Sequence, residues 1–148
     1  MGTLGALNLI NKFSNEHLLV MNSDILTNID YEDFYKFYLE SGADLCIASI
    51  PYKVKIPYAV LETHDNSILS FKEKPTYTYY SNGGIYLMNK SLQKMIPEGQ
   101  LYNATDLMEE LITKGKKVTH YPVLSYWLDI GRHEDLLKAQ EDIKHLKL

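Results

Sequence analysis

The sequence predicts a mixed α/β fold. Three observations carry that expectation. Apolar runs and helical-period segments alternate through the first fifty residues. Two strand-like runs flank the turn residues His64-Asp65-Asn66-Ser67, which embeds a hairpin in the chain. Apolar runs also stop twice at an aspartate, at Asp24 and at Asp129. In open α/β sheets, ligands bind beyond the carboxyl ends of strands, so both carboxylates fall where a site is expected.

The elements follow in order. Gly2 to Asn11 carries Leu4, Leu7 and Leu9-Ile10 and reads as a short helix. Leu18 to Asn22 is continuously apolar, a buried strand. Asp30 caps a helix over Tyr31 to Glu40 whose apolar face is Phe34, Phe37 and Tyr38, and Ser41-Gly42 stops it. Ala43 to Ile50 is a second buried strand, ended by Pro51. Tyr58 to Glu62 and Ile68 to Lys72 form the hairpin, and Gly84 to Met88 a further strand. A short helical segment spans Ser91 to Ile96. Asn103 or Thr105 caps a helix bearing Leu107, Met108, Leu111 and Ile112, with Gly115 as its stop. Lys117 to Val123 and Ser125 to Leu128 are strands. The last helix runs from His133 to about Leu146.

A chain of 148 residues holds one domain with a sizeable core. Hydrophobic residues at 45% and charged residues at 23% are ordinary for a globular protein. The net charge of −4, with no basic stripe, argues against nucleic-acid binding but not against a small phosphorylated ligand. No apolar run is long enough to span a bilayer, and no signal-peptide pattern opens the chain. Cys46, the single cysteine, sits in an apolar run and reads as a buried, inert thiol. One cysteine makes no internal disulfide, so a reducing, cytoplasmic setting is expected. There is no Walker A loop, Gly-x-Ser-x-Gly elbow or His-Glu-x-x-His motif. The tyrosines at 77, 79 and 80 suit a sugar-stacking platform or ordinary half-buried strand aromatics.

Five short constellations carry chemistry, each with a plainer alternative. Gly2-Thr3-Leu4-Gly5-Ala6-Leu7 lets a flat ligand approach the backbone, or is a helix entrance with small packing residues. Asp24 in Asn22-Ser23-Asp24 binds a metal or caps the next element. In Phe71-Lys72-Glu73-Lys74-Pro75, strand alternation separates Glu73 from the two lysines unless Pro75 distorts the end. Glu73 then accepts from sugar hydroxyls and Lys74 meets a phosphate, or the two form a surface ion pair. Asn82 in Ser81-Asn82-Gly83-Gly84-Ile85-Tyr86 offers a carboxamide to hydroxyls, or begins an Asn-Gly turn. Tyr126-Trp127-Leu128-Asp129-Ile130-Gly131 is the most specific: a carboxylate among bulky apolar residues is costly unless paired or metal-bound.

Taken in this order, the motifs resemble the sugar-phosphate nucleotidyltransferases, and mannose-1-phosphate guanylyltransferases among them. The family's Leu-Gly-Thr-Ala-Gly-Ala-Leu is similar to Gly2–Leu7, with Leu4 in place of alanine. Asn-Gly-Asp matches Asn22-Ser23-Asp24, Glu-Lys-Pro matches Glu73-Lys74-Pro75, and Val-Asn-Ala-Gly-Ile-Tyr matches Ser81 to Tyr86. Trp-Leu-Asp-Ile-Gly is kept in full from Trp127 to Gly131.

The resemblance implies a Rossmann-like, three-layer nucleotide-diphospho-sugar transferase fold, a mixed sheet with an inserted hairpin, incomplete here. Residues 1–148 would be the C-terminal portion of one such domain, since the family's N-terminal Gly-rich loop and its arginine have no counterpart in this sequence. It implies a reaction of a nucleoside triphosphate with a sugar 1-phosphate, giving a nucleotide sugar and pyrophosphate. Gly2, Thr3 and Gly5 would line the nucleobase pocket, Asp24 and Asp129 would hold Mg²⁺, Glu73 and Asn82 would bind sugar hydroxyls, and Lys74 would meet the sugar phosphate. Glycine at position 5 favours guanine, where thymidylyltransferases carry glutamine. Ala59 stands where the family places a glycine whose N–H meets the sugar; its methyl group favours a somewhat different sugar. This chain alone is expected to be inactive and to self-associate as a homo-oligomer, or to rearrange, through an exposed sheet edge. The rival expectation is a non-catalytic nucleotide-sugar-binding or regulatory subunit.

Overall fold

The computed structural model describes residues 2–10 and 12–146. Its centre is a four-stranded sheet in the order β1-β6-β3-β7, formed by β1 (His17–Met21), β3 (Leu45–Lys55), β6 (Thr76–Asn89) and β7 (Val118–Pro122). β1 and β3 run antiparallel to β6, and β7 runs parallel to β3. The sheet is therefore mixed, as the sequence predicts.

Strand alternation sorts the core into two layers. From β3 and β6, Leu45, Ile47, Tyr86 and Met88 point to one face. There they meet Leu4 and Leu7 and, from α3 (Ala104–Thr113), Leu107 and Leu111. The intervening Cys46, Ala48, Ile85 and Leu87 point to the other face and meet Phe34 and Tyr38 of α2 (Tyr31–Ser41). Helices thus cover both sides of the sheet, the three-layer arrangement expected. Cys46 is fully buried, and burial pushes its thiol pKa up, so it is held as an unreactive thiol.

The helices start and stop where their sequences direct. The Asp30 side chain accepts from the Asp33 N–H to cap α2, and Gly42 ends it with φ of 60°. Asn103 caps α3, with Asp106 returning a bond to the Asn103 N–H. The opening segment is tighter than predicted: α1 spans only Gly2–Gly5, and a 3₁₀ turn follows over Ala6–Leu9. A second 3₁₀ segment, Lys90–Met95, replaces the short helix expected near 91–96. α4 ends earlier than expected, spanning His133–Asp142.

Two strands run further than the sequence suggests. Pro51 does not end β3, which continues to Lys55. Pairing of β3 with β7 stops at Ser49, so Pro51 lies where one side of the strand faces no neighbour and its missing N–H breaks no ladder. β6 begins at Thr76 rather than Gly84, and Asn82-Gly83 lies within it instead of forming a turn. The distal halves of β3 and β6 form a two-stranded ribbon carrying the hairpin of β4 (Val60–His64) and β5 (Ser67–Lys72).

A strand absent from the sequence reading completes the frame. β2 (Ile25–Thr27) pairs antiparallel with β8 (Trp127–Asp129). Thr27 Oγ1 donates to the Tyr126 carbonyl at 2.7 Å, and the Tyr126 N–H donates to Asn28 Oδ1 at 2.8 Å.

The Tyr126 hydroxyl donates to Asp142 Oδ2 at 2.5 Å and ties β8 to α4. Burial, then the Asp142 carboxylate, pushes the phenol up to about 12. The Tyr121 hydroxyl, bonded to Asp33, is likewise pushed up to about 12. An unfolded tyrosine titrates near about 10. A folded pKa above the unfolded one gives stability that is present below pH ~10 and lost as pH rises towards ~12. Urea denaturation between those limits should show falling stability, with a shallower fall in Tyr126→Phe; equal slopes would contradict the assignment.

Candidate functional site

The bulge between β3 and β6 shapes the site. Ile47 pairs with Tyr86 and Ser49 with Asn82, so Gly83, Gly84 and Ile85 stand opposite Ala48 alone. Gly84 has φ of 71°, and a Cβ there would lie 2.5 Å from Ile25 Cδ1 and 2.8 Å from Asn22 Nδ2. The positive φ favours glycine at 84, and any side chain there would also displace the ends of Ile25 and Asn22. At Gly83 a Cβ would lie 2.6 Å from the Ala48 carbonyl oxygen. The Gly83 carbonyl accepts from Trp127 Nε1 at 2.9 Å, which locks β8 onto the bulge.

Around this junction lies a cavity of about 350 Å³. Asn22 and Ile25 approach from the end of β1 and from β2, Asn82 and Tyr86 from β6, and Trp127 and Asp129 from β8. Thr3 of α1 closes it beside Asn103, Ala104 and Thr105 at the start of α3. Larger cavities exist, but they flank β1 and contain none of the predicted site residues. The lining is rich in hydroxyl and carboxamide groups, carries one carboxylate, Asp129, and includes no lysine or arginine. Such a wall suits uncharged donors and acceptors better than a bare phosphate.

Two carboxamides face this space in different states. Asn82 Oδ1 accepts from the Gly84 N–H at 2.9 Å, so the bulge uses its oxygen, and its NH₂ lies beside the Tyr86 hydroxyl in the cavity wall. Asn22 donates its backbone N–H to the Gly84 carbonyl, but its side-chain oxygen is buried with no partner among the described residues. An acceptor left unpaired in this way is completed by a ligand donor or a water.

Three of the predicted residues, Thr3, Asn82 and Asp129, share the cavity. Asp24 lies just outside its lining, and its backbone oxygen accepts from the Ile130 N–H at 2.7 Å. That bond holds the Asp24 and Asp129 segments side by side. Gly2 does not face the cavity: with φ of 73°, it packs its Cα against Tyr102 and Asn103, where a Cβ would lie 2.5 Å from the Tyr102 oxygen. Gly5 is buried. Ala59, Glu73 and Lys74 are exposed at the root of the hairpin, outside the cavity lining. β5 ends at Lys72, which pairs with Glu62 at 2.9 Å, and Lys74 has φ of 43°, so strand alternation does not extend through Glu73 and Lys74. Their charged groups stand 4.0 Å apart. Asn103 and Thr105, predicted only as helix caps, prove to be cavity residues as well. Their position at the head of a helix was the available signal.

The chemistry of the donor set fits a hard divalent cation. Asp24 and Asp129 are exposed, and neither side chain has an ion-pair or hydrogen-bond partner among the described residues. No group of three or more His, Cys, Asp or Glu side chains gathers there or elsewhere among those residues. The chain would thus supply at most these two carboxylates, and phosphate oxygens and water would complete an Mg²⁺ shell.

Comparison with known proteins agrees with this fold. Residues 1–145 match the nucleotidyl transferase family, and the chain belongs to that family. Glucose-1-phosphate adenylyltransferase of Clostridium perfringens is 28% identical over 146 residues, covering 90% of this chain and 37% of the relative. The Bacillus cereus enzyme of that name is 26% identical, covering 93% and 40%. The chain therefore spans about two fifths of the length of these curated relatives. HddC of Yersinia pseudotuberculosis superposes with a TM-score of 0.66 at 26% identity, covering 96% of this chain and 62% of that one. A putative glucose-1-phosphate thymidylyltransferase of Bacillus anthracis shares the fold, with a TM-score of 0.63 at 19% identity and coverage of 91% and 57%.

The glycine geometry gives a direct test. At Gly115, φ is 68° but a Cβ would meet nothing within 4 Å, so Gly115→Ala carries backbone strain alone, about 1 kcal/mol. Gly84→Ala adds the collision with Ile25 and Asn22 and should lose about 2–3 kcal/mol. Urea denaturation of the two variants checks the difference; equal losses would mean that the junction at Gly84 is not tightly packed.

Proposed function

We propose that the protein acts in the transfer of a nucleotidyl group to a sugar 1-phosphate, and that this chain supplies the sugar-binding wall and the two metal-binding carboxylates. The observation carrying this reading is the single cavity that gathers Thr3, Asn22, Asn82, Asn103, Thr105 and Asp129 at a strand junction. Neutral donors and acceptors in that density suit a polyhydroxylated ring. Membership of the nucleotidyl transferase family and the names of the curated relatives support the reaction class.

In the reaction, an oxygen of the sugar phosphate attacks the α-phosphorus of the nucleoside triphosphate. The new P–O bond forms as the bond to the β-phosphate oxygen breaks, and pyrophosphate leaves with the electron pair. The nucleophile is already anionic, so no protein base is needed. Asn82 donates its NH₂ to a sugar hydroxyl, and Asn22 accepts from a ligand donor through its unpaired oxygen. Asp24 and Asp129 would hold Mg²⁺, which would supply charge neutralisation and alignment of the phosphates. The wall itself holds no lysine or arginine. On the family resemblance, Lys74 at the hairpin root is assigned to the sugar phosphate, with Glu73 and the Ala59 N–H on the sugar. Guanine is the base favoured by Gly5; HddC, with a TM-score of 0.63 at 24% identity, has been solved with GMP-PN.

Titration of the chain with guanosine, adenosine and thymidine diphosphate sugars in Mg²⁺, followed by thermal shift, tests the reading. A guanosine diphosphate sugar should stabilise the fold most. Asn82→Ala should weaken binding about tenfold, the worth of one good hydrogen bond to a ligand. Asp129→Asn should remove the Mg²⁺ dependence. No stabilisation by any nucleotide sugar or sugar 1-phosphate would sink the proposal.

A further inference from the structure

β6 carries four tyrosines, Tyr77, Tyr79, Tyr80 and Tyr86. The first three suit a sugar platform by sequence, yet none of them lines the site cavity, and Tyr79 and Tyr80 stand exposed on the ribbon. Tyr86 does line it. This residue sits mid-sheet, paired with Val20 on one side and Ile47 on the other. Its ring belongs to the core with Leu4, Met88 and Leu107, and the residue is only 3% exposed. The Asn82 carboxamide lies beside its hydroxyl, and Asn82 lines the cavity too, so the phenol end is the part of Tyr86 that reaches the wall. Gly83, Gly84 and Ile85 stand between the two in sequence. The glycines carry no side chain, and Ile85 packs on the opposite face, so nothing separates Asn82 from Tyr86 on this one.

Hydrogen-bond polarity is fixed along this wall. The Gly84 N–H occupies the Asn82 oxygen, which turns the Asn82 NH₂ towards the Tyr86 oxygen. Burial pushes the phenol pKa up, and the Asn82 donor only partly opposes it, so the hydroxyl keeps its proton at neutral pH. With its oxygen accepting from Asn82, the hydroxyl has a hydrogen left to give. The Asn82 NH₂ has a second hydrogen to give as well. Resting on the reading of this cavity as the sugar-binding wall, we propose that the Tyr86 hydroxyl donates a hydrogen bond to one hydroxyl of the bound sugar, next to the one that Asn82 binds, and that it is a specificity-determining residue for the sugar. A donor carried on a core ring has little freedom to lose on binding, and it penalises a sugar that lacks its partner oxygen.

Calorimetric titration of the chain with guanosine diphosphate mannose and with guanosine diphosphate, both in Mg²⁺, separates the sugar contact from the nucleotide contact. Tyr86→Phe removes one oxygen and keeps the ring, so its circular dichroism should be unchanged. It should bind guanosine diphosphate mannose about tenfold more weakly and guanosine diphosphate equally well. Tyr38→Phe, at a buried tyrosine on the opposite face of the sheet, should change neither affinity. Monodeoxy derivatives of the mannose give a second measurement. One of them should bind the unaltered chain about tenfold more weakly than guanosine diphosphate mannose does, yet bind Tyr86→Phe as well as guanosine diphosphate mannose does. An unchanged affinity in Tyr86→Phe, an equal loss for guanosine diphosphate, or the absence of such a deoxy derivative would overturn the proposal. So would an unaltered chain that binds guanosine diphosphate mannose no better than guanosine diphosphate, whereas the sugar-wall reading itself falls only if every nucleotide sugar and sugar 1-phosphate fails to bind.

Discussion

The candidate site depends on the pairing of two three-residue strands, β2 and β8, whose residues lie about a hundred positions apart in sequence. Strands this short are weak alone. Side chains reinforce the pair: Thr27 bonds the Tyr126 carbonyl, Asn28 bonds the Tyr126 N–H, and Trp127 reaches across to the Gly83 carbonyl. Through these bonds Asp129 comes level with Ile25, and the Asp24 carbonyl receives the Ile130 N–H. The carboxylate segments at the two ends of the chain meet because this small ladder closes.

The glycines of β6 let the ladder close. A side chain at 84 on this backbone would run into the ends of the Ile25 and Asn22 side chains. The bulge instead lowers bare backbone into that space, and Ile25 and Asn22 fill it. The same bulge draws Asn82 Oδ1 into a bond with the Gly84 N–H, which fixes the carboxamide with its NH₂ beside the Tyr86 hydroxyl. Packing and recognition at this point therefore rest on the same two glycines. α1 is held by a similar close approach, with Gly2 against the Tyr102 backbone and the Asn103 side chain and the Leu4 N–H donating to the Tyr102 carbonyl at 3.1 Å.

Much of the fold was legible because its core strands are continuous apolar runs buried on both faces. Leu45 to Ala48 and Ile85 to Met88 are apolar on both faces, and the caps at Asp30 and Asn103 are strong local signals. β2 was not legible: three residues carry no period, and the partner strand that defines them is remote. The start of β6 was hidden because Tyr77 to Asn82 pair in a ribbon largely open to solvent, and Asn-Gly is also a turn signal. In the site, Asp129 stood out from its apolar neighbours, but the desolvation they suggested does not occur, since its side chain is exposed; Asn82 stood out from its carboxamide. Asn103 and Thr105 were read for their local capping chemistry, which concealed the cavity that α3 faces. Gly2 shows the reverse: a motif glycine whose visible reason in the fold is close packing.

The central proposal is that Asp24 and Asp129, on the segments the β2–β8 ladder joins, hold one metal ion. Manganese, as a paramagnetic stand-in for magnesium, tests it directly in ¹⁵N-resolved spectra of the chain. Broadening should centre on the amides of 23–25 and 129–131 together, and Asp24→Asn should reduce it at both segments. Broadening centred instead on the acidic helix starts at Glu32-Asp33 or Glu134-Asp135, or unchanged by Asp24→Asn, would contradict it.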